Sequence, residues 1–533
     1  MHWVYDFRRP KMLNGKFQLR KEILLSEKAI ICYFIIIRLI IFLYPHHYGI
    51  FRDEFLYISM SKHLGLGYLE VPPLAPLILA GVRFLLGISY LSMHLVPVLL
   101  SSGVIIVSAL IVKKMGGSIY AMILCLICVT LAPSLVALDT IYDYNSFDAL
   151  FWTISIYMIL LLLVSEDKKY WLYFGLFAGL GLISKITMLY LGFTLFISFL
   201  ALKDRKYLFD KRFLIGGLIA AFIFLPYLLW QAYYHFPIIE YFKGYAGKLS
   251  HYSPLQYVFN QIDSMNRPAF PVWILGLIYF LFHKEGKKYR VFGLAYIFLC
   301  ILFISQNAKS YLIRPYYTVL FAGGAVFIMR LIENIKITWL KTATVTVVAV
   351  YALLITVYGV LSIPYVRPVL TPEAFIKYSG RGKFSGDEKF DSGLLPQFFA
   401  DCFGWEELSE NVSDVYQKLS DPDKKKVCIL TGNYGEAGAL QFYGPKYGLP
   451  DPVCSQNIWY FWGPGRNTGS VMIIVGFPGD FYNTLTNNFD NVEIERKTVT
   501  KYAMPYENEN PIFLCRGLHM PLTYYWKKIK HFE

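Results

Sequence analysis

Apolar runs of about 17 to 23 residues recur from residue 28 to residue 363, each long enough to cross a hydrocarbon layer as an α-helix. Such a chain has little choice of architecture, because inside a bilayer every backbone N–H and C=O must be satisfied within a helix or a closed barrel. The runs fall at 28–45, 91–112, 118–135, 145–164, 171–184, 186–202, 212–234, 268–282, 289–306, 314–333 and 340–363. They predict about eleven spans. The stretch from Trp171 to Leu202 is too long for one upright helix and carries Ser184 and Lys185 at its middle, so it reads as two short spans and a tight turn. Composition agrees: 56% of the residues are hydrophobic and 17% charged, which is more apolar than an ordinary soluble domain. The chain reads as a polytopic α-helical membrane protein.

From Pro364 onward no run is long enough to span, and polar residues, Gly and Pro become frequent. This predicts a membrane domain over 1–363 and a soluble domain over 364–533. In the latter, "KKKVCILTG", "VMIIVGF" and "NVEIERKTVT" read as strands and "EAGALQFYG" as a helix, a small α/β unit. Orientation follows from the basic residues, which collect in cytoplasmic loops. Arg8, Arg9, Lys11, Lys16, Arg20 and Lys21 precede the first span. Lys113 and Lys114, Lys168 and Lys169, "KDRKYLFDKR" at 203, "HKEGKKYR" at 283 and the segment from Arg330 to Lys341 fall on the same side. An odd number of spans then carries the C-terminal domain, and the loop after the first span, to the outer face of a plasma membrane. The net charge of +14 reflects inner-loop bias and attraction to lipid headgroups, not nucleic-acid binding. No small-residue cleavage site follows the first apolar run, only Tyr44-Pro45-His46-His47, so it is read as a span rather than a signal peptide.

On the outer side, carboxylates and cations face one another. Asp53, Glu54 and Glu70 lie in the first loop, Asp139, Asp143 and Asp148 around the third and fourth spans, and Lys185 at the tight turn. Lys243, Lys248, His251, Arg267, Lys309 and Arg314 follow. Ionisable groups near lipid are costly and are usually paired or functional; for Glu70, Lys243 and Lys248, contact with headgroups and water is the competing reading. Arg38, inside "IIIRLII", reads as a structural ion-pair residue.

The first outer loop is not a plain connector. "FRDEFLYISMSKHLGLGY" has apolar residues at helical spacing, "VPP" breaks it, and "PLAPLILAGVRFLLG" begins a second helix too short to span upright. Both pieces read as helices lying in the membrane interface. Asp53, at the start of the first, is either a partner of the helix dipole or a general base held out of bulk water.

Several strings together resemble one family. "RDEFLYISMSKHLGLGYLEVPPLAPLI", "NSFDALFWTISIYMILL", "GLFAGLGLISKITMLYLGF", "LPYLLWQAYYHFPIIEYFK", "SPLQYVFNQI", "KSYLIRPYYTVLFAGGAV" and "GNYGEAGALQFYGPKYGLP" are similar, in order and number, to membrane glycosyltransferases of the GT-C class. The nearest branch is glycosyltransferase family 39, within the dolichyl-phosphate-mannose protein mannosyltransferase and aminoarabinose transferase superfamily.

The resemblance implies a sugar donor on a polyprenyl phosphate and an acceptor hydroxyl or amine on a protein, lipid or cell-surface glycan. It implies that the acidic pair Asp53 and Glu54 belongs to the active site, with Asp53 the catalytic carboxylate. Single displacement by an acceptor activated by one base would invert the anomeric centre. Lys185, Arg267, Lys309 and Arg314 are then the candidate cations for the leaving phosphate, with Tyr311 lining its entrance. Lys185 in "GLISKIT" matches the family's lysine and ranks first, although snorkelling to headgroups is open for it. Asp148 in "NSFDALFW" caps its helix or, with Asp143, positions a substrate or a divalent cation. No cofactor is otherwise implied. Two departures stand out: Val71 occupies the place where aminoarabinose transferases carry a lysine, and Arg314 stands where relatives carry a small residue.

Cys32, Cys125, Cys128 and Cys300 lie in apolar runs, whereas Cys402, Cys428, Cys454 and Cys515 lie in the outer domain, where disulfides are open and no zinc spacing occurs. "GNYGEAG" matches neither dinucleotide nor Walker spacing, which leaves acceptor or glycan contact as its functional reading. Trp459, Tyr460, Phe461 and Trp462 suit either sugar stacking or a membrane surface. The alternative class is a lipid-sugar transporter or flippase, which tends to place charges near the midplane on interrupted helices related by repeat. Here the charges crowd one rim.

Overall fold

The computed structural model describes residues 26–45, 48–380 and 393–533. The basic residues from Arg8 to Lys21, and His46 and His47, lie outside them.

Helices form at each of the apolar runs: α1 (Glu27–Leu43), α4 (Tyr90–Lys114), α5 (Ile119–Leu131), α6 (Tyr144–Ser165), α7 (Tyr170–Leu182), α8 (Met188–Ala201), α9 (Lys211–Tyr233), α12 (Phe270–Phe282), α13 (Arg290–Ser305), α14 (Tyr317–Glu333) and α15 (Thr338–Val366). The first outer loop supplies α2 (Arg52–Lys62) and α3 (Leu74–Leu86), and the segment between α9 and α12 supplies α10 (Pro237–Ala246) and α11 (Pro254–Ser264). Six helical segments among the described residues are long and apolar enough to cross a membrane, or up to eight if each of two bent pairs is one span. The other apolar helices are shorter, and the stretch from Trp171 to Leu202 is broken at Lys185 as expected.

Local chemistry sets the helix starts. Ser26 caps α1 and Ser118 caps α5 by accepting from backbone N–H groups three residues on, and Ser89 with Ser92 forms a capping box on α4. Packing inside the bundle uses small residues where helices touch. A Cβ at Gly175 of α7 would stand 2.1 Å from the Gly216 carbonyl oxygen of α9, so only glycine permits that approach.

The two ends of the bundle differ in charge. At one end Lys113 meets Glu27 at 2.5 Å, Lys168 meets Asp210 at 3.3 Å, and Arg330 meets Glu285 at 2.6 Å while donating to the Met115 carbonyl at 2.8 Å. These contacts bring the basic turns to one end, opposite the C-terminal domain. Arg38 finds the partner its position demands: its Nε lies 2.6 Å from Asp139 Oδ2, and its terminal nitrogens donate to the Thr130 and Leu135 carbonyls at 2.8 and 2.5 Å. Arg367, just past α15, is equally buried and donates to the Phe42 carbonyl at 2.7 Å, tying the last span to the first.

Beyond α15 the chain builds α16 (Trp405–Gln417), β1 (Val427–Thr431), α17 (Tyr434–Tyr443), β2 (Val453–Cys454), α18 (Asn457–Trp462), β3 (Val471–Val475), β4 (Phe489–Lys497) and β5 (Pro511–Leu518). The sheet order is β2-β1-β3-β5-β4. β1 runs parallel to β2 and β3, with Thr431 opposite both Cys454 and Val475, and β3, β5 and β4 are antiparallel in turn. β1 and β3 are buried along their whole length, as strands covered on both faces are. All eight cysteines are free thiols.

α2 departs from the expected interfacial helix. Glu54 through Ser61 are all buried, because the C-terminal domain lies over the helix: α17 runs along it, and Phe55 packs against Trp405, Phe442 and Tyr443. Each fully buried side chain of this size contributes about 1.5–3 kcal/mol. α3 keeps an exposed apolar face, with Leu77, Phe84, Leu85 and Leu86, as a helix at a membrane interface does.

Candidate active site at the junction of bundle and outer domain

Between α2, α6, α10 and the C-terminal domain lies a cavity of about 330 Å³. Its wall from the bundle side carries Arg52, Asp53, Tyr57, Glu70, Val71, Asp143, Tyr144, Asn145, Tyr241, Tyr245, Lys309 and Tyr311; from the C-terminal domain come Asn433, Tyr434, Gln456, Asn457, Tyr506 and Glu507.

Asp53 and Glu54 occupy the first turn of α2 and point to different places. The Asp53 side chain is 42% exposed, and its Oδ1 accepts a hydrogen bond from the Tyr434 hydroxyl at 2.7 Å. Glu54 is turned inward. Its two oxygens accept from the backbone N–H of Phe51 at 2.9 Å and of Tyr142 at 2.7 Å, and Oε1 lies 2.8 Å from Nε2 of buried His94. Glu54, expected beside Asp53 in the active site, does not line the cavity. At the third position of the helix a carboxylate reaches back to cap the chain, and it pins α2 to α4 and α6.

Arg52 lies over the Tyr434 ring at 5.4 Å and donates to Tyr506 Oη at 2.7 Å, while Asp401 lies 3.8 Å from its other terminal nitrogen. Burial pushes the Glu70 carboxyl up to about 7, although the Ile458 N–H holds one of its oxygens at 3.0 Å. Glu70 thus faces the cavity rather than headgroups. Glu507, which accepts from Asn433 at 3.1 Å, is likewise raised to about 7, chiefly by burial.

The cations divide. Lys309 lines the cavity and lies 4.9 Å from the Tyr245 ring and 5.8 Å from the Tyr311 ring. Lys185 is buried behind the wall, donating to Asn145 Oδ1 at 2.6 Å between the rings of Tyr144 (4.6 Å) and Tyr311 (5.3 Å). Arg314 stands 4.8 Å from the Tyr311 ring and donates to the Ser134 carbonyl at 3.1 Å. Tyr311 is thereby surrounded by three positive charges. Arg267 is not brought to this cluster; its side chain is 64% exposed and pairs with Asp263 at 2.8 Å, one helical turn before it. Lys243 is exposed on α10, and Lys248 lies 2.8 Å from Glu533.

Asp143, not Asp148, caps α6: its Oδ1 accepts from the Asn145 N–H at 2.7 Å. Asp148 is buried one turn along and accepts from the Thr187 hydroxyl at 2.9 Å, bracing the turn that presents Lys185. Among the described residues no group of three or more His, Cys, Asp or Glu side chains comes together to hold a metal ion.

"GNYGEAG" forms no phosphate loop. Asn433 caps α17 by accepting from Gly435 and Glu436, and Glu436 accepts from Gly432 and Asn433 in return. Tyr434, Tyr506 and Arg52 are the site residues that sequence reasoning missed. One signal was available: Tyr434 follows β1 at the carboxyl end of a parallel strand, where α/β sheets hold their ligands. The aromatic run of α18 is packed rather than free, with Trp462 stacked on His63 at 4.4 Å and Tyr460 on Trp526 at 6.1 Å.

The family model of dolichyl-phosphate-mannose-protein mannosyltransferase matches residues 70–230. The structure is similar to ArnT from Cupriavidus metallidurans bound to undecaprenyl phosphate, with TM-score 0.59 and 12% identity over 91% of this chain and 97% of that one. Over residues 70–230 the chain is similar to that family, and over nearly its whole length it shares the fold of ArnT. The apo state of the same ArnT superposes on this chain with TM-score 0.57 over the same shares of both chains, again at 12% identity. An oligosaccharyltransferase from Archaeoglobus fulgidus gives TM-score 0.49 at 12% identity over 78% of this chain and 62% of that one. No curated protein matches the sequence.

Proposed function

We propose that this chain is a GT-C glycosyltransferase that moves a sugar from a polyprenyl-phosphate carrier to a hydroxyl or amine on a protein, lipid or cell-surface glycan, with Asp53 as general base. The observation that carries the reading is the composition of one cavity: a half-exposed carboxylate at Asp53, and Lys309 with Tyr311 in the same wall, backed by Lys185 and Arg314. The binding of undecaprenyl phosphate by ArnT supports a lipid-phosphate donor.

The step balances as a single displacement. The acceptor oxygen bonds to the anomeric carbon as the bond from that carbon to the phosphate oxygen breaks, and the acceptor proton passes to the Asp53 carboxylate. The carrier leaves as a phosphate monoester with one more negative charge than the diester it came from. Cations held in a partly dry wall stabilise that developing charge strongly. Attack opposite the leaving group inverts the anomeric centre. The positive-inside rule supports reading the basic end of the bundle as cytoplasmic, and with it the cavity and the 364–533 domain as lying at the outer face of the plasma membrane.

The test supplies labelled polyprenyl-phosphate sugars and candidate acceptors to the protein purified in lipid, native and as Asp53→Asn. Glycosidic product is expected from the native protein, and a fall of at least about 100-fold in the variant. Movement of the donor across the bilayer without glycosidic product would favour the transporter class instead.

A further inference from the structure

The carboxylate of Asp53 is gripped from outside the membrane bundle. Its Oδ1 receives the Tyr434 hydroxyl at 2.7 Å, and Tyr434 is the first residue of α17, in the outer domain. We propose that Tyr434 is a positioning residue for the base: its O–H occupies Oδ1 and aims Oδ2 at the acceptor, so that the active site is complete only when the outer domain is seated. This rests on the reading of Asp53 as the base.

The seating is unusually tight, and glycine makes it so. A Cβ at Gly435 would stand 2.5 Å from Arg52 Cγ, and one at Gly438 would stand 2.6 Å from Phe55 Cβ. At these two positions α17 therefore rests bare backbone on Arg52 and Phe55 of α2, with no side chain of its own between them. The amino end of α17 is fixed independently. The Asn433–Glu436 capping box holds its first turn, and Gln456 Oε1 accepts the Tyr434 N–H at 2.9 Å. Arg52 closes the frame, lying over the Tyr434 ring while Tyr506 and Asp401 hold its far end. A phenol so held cannot follow a wandering carboxylate; the carboxylate must come to it.

Chemistry favours Tyr434 as a donor that keeps its own proton. Burial and the adjoining Asp53 charge raise its hydroxyl well above the ordinary tyrosine range, against the pull of Arg52. The other titratable groups that feel the Asp53 charge are Arg52 and Tyr57 on its own helix, Tyr241 on α10 and Glu70 in the loop after α2.

The experiment compares native protein, Tyr434→Phe and Asp53→Asn in lipid nanodiscs, measuring donor KM, kcat and protease resistance of the outer domain. For Tyr434→Phe the expected result is a kcat lower by about tenfold with an unchanged donor KM and protease pattern. A kcat within about twofold of native overturns the proposal. So does a loss that appears equally in donor KM and in protease resistance, since that marks a structural contact only. Turnover retained in Asp53→Asn overturns the base reading itself, and the two failures are thereby told apart.

Discussion

Glu54 and His94 meet at 2.8 Å, both almost fully buried, and the contact joins the first turn of α2 to the span α4. Adjacent carboxylates in the sequence thus serve different ends, Asp53 opening to the cavity and Glu54 anchoring the helix that carries it. Glu54→Gln keeps the shape but presents an amide donor to the N–H groups of Phe51 or Tyr142. The loss expected is about 1–3 kcal/mol of stability, read as a lower thermal midpoint in detergent, with turnover per folded molecule falling far less than in Asp53→Asn.

Arg38 and Asp139 form a second buried pair. Arg38→Met strips Asp139 of its counter-charge and should cost about 3–5 kcal/mol. Replacing both, as Arg38→Met with Asp139→Leu, should restore part of that loss, because no buried charge is then left unbalanced while the Thr130 and Leu135 carbonyls still lose their donor. Unfolding of the two variants side by side checks this; equal loss in both would contradict it.

Lys185 is held by Asn145 and two tyrosine rings. Lys185→Met removes one of the charges around Tyr311 and is expected to lower kcat/KM for the lipid-phosphate donor by about 100-fold, with Lys185→Arg recovering part of it. Arg267→Met, at an exposed pair far from this wall, is expected to change the same kcat/KM by less than about twofold. Donor titration in a labelled-sugar transfer assay distinguishes them.

Glu70 carries a pH prediction. Its folded carboxyl is raised to about 7 from an ordinary 4.5. A group whose folded value is raised contributes stability that is fully present below the unfolded value and lost as pH climbs through the folded one. Native protein should therefore lose thermal stability, relative to Glu70→Gln, as pH rises from about 4.5 to about 7. Thermal scans of both proteins across that window decide it, and parallel curves would rule it out.

Much of the architecture was legible because lipid enforces it. The apolar runs could only be helices, the break at Ser184 and Lys185 followed from length, and Arg38 had to find a counter-charge. Strands β1, β3 and β4 were visible as β-rich runs, whereas β2 is only two residues long. β5 mixes "IFLC" with "RGL", so that no alternation marks it. Asp53, Lys309 and Tyr311 line one cavity, but the contacts of their neighbours were hidden. Glu54 and Asp53 look interchangeable until the turn of α2 sends them apart, and Arg267 looks like Arg314 until Asp263 is seen beside it. Tyr434 and Arg52 lie 382 positions apart in the chain, and only the docking of α17 on α2 brings them together.

That docking has a consequence for how such proteins can be rebuilt or diverge. Since bare backbone at Gly435 and Gly438 lies against Arg52 and Phe55, the C-terminal domain of this chain cannot be exchanged as an independent part. A swapped module fits only if the stretch from Arg52 to Phe55 is transplanted along with it, so these two distant pieces of sequence must be inherited as a matched pair.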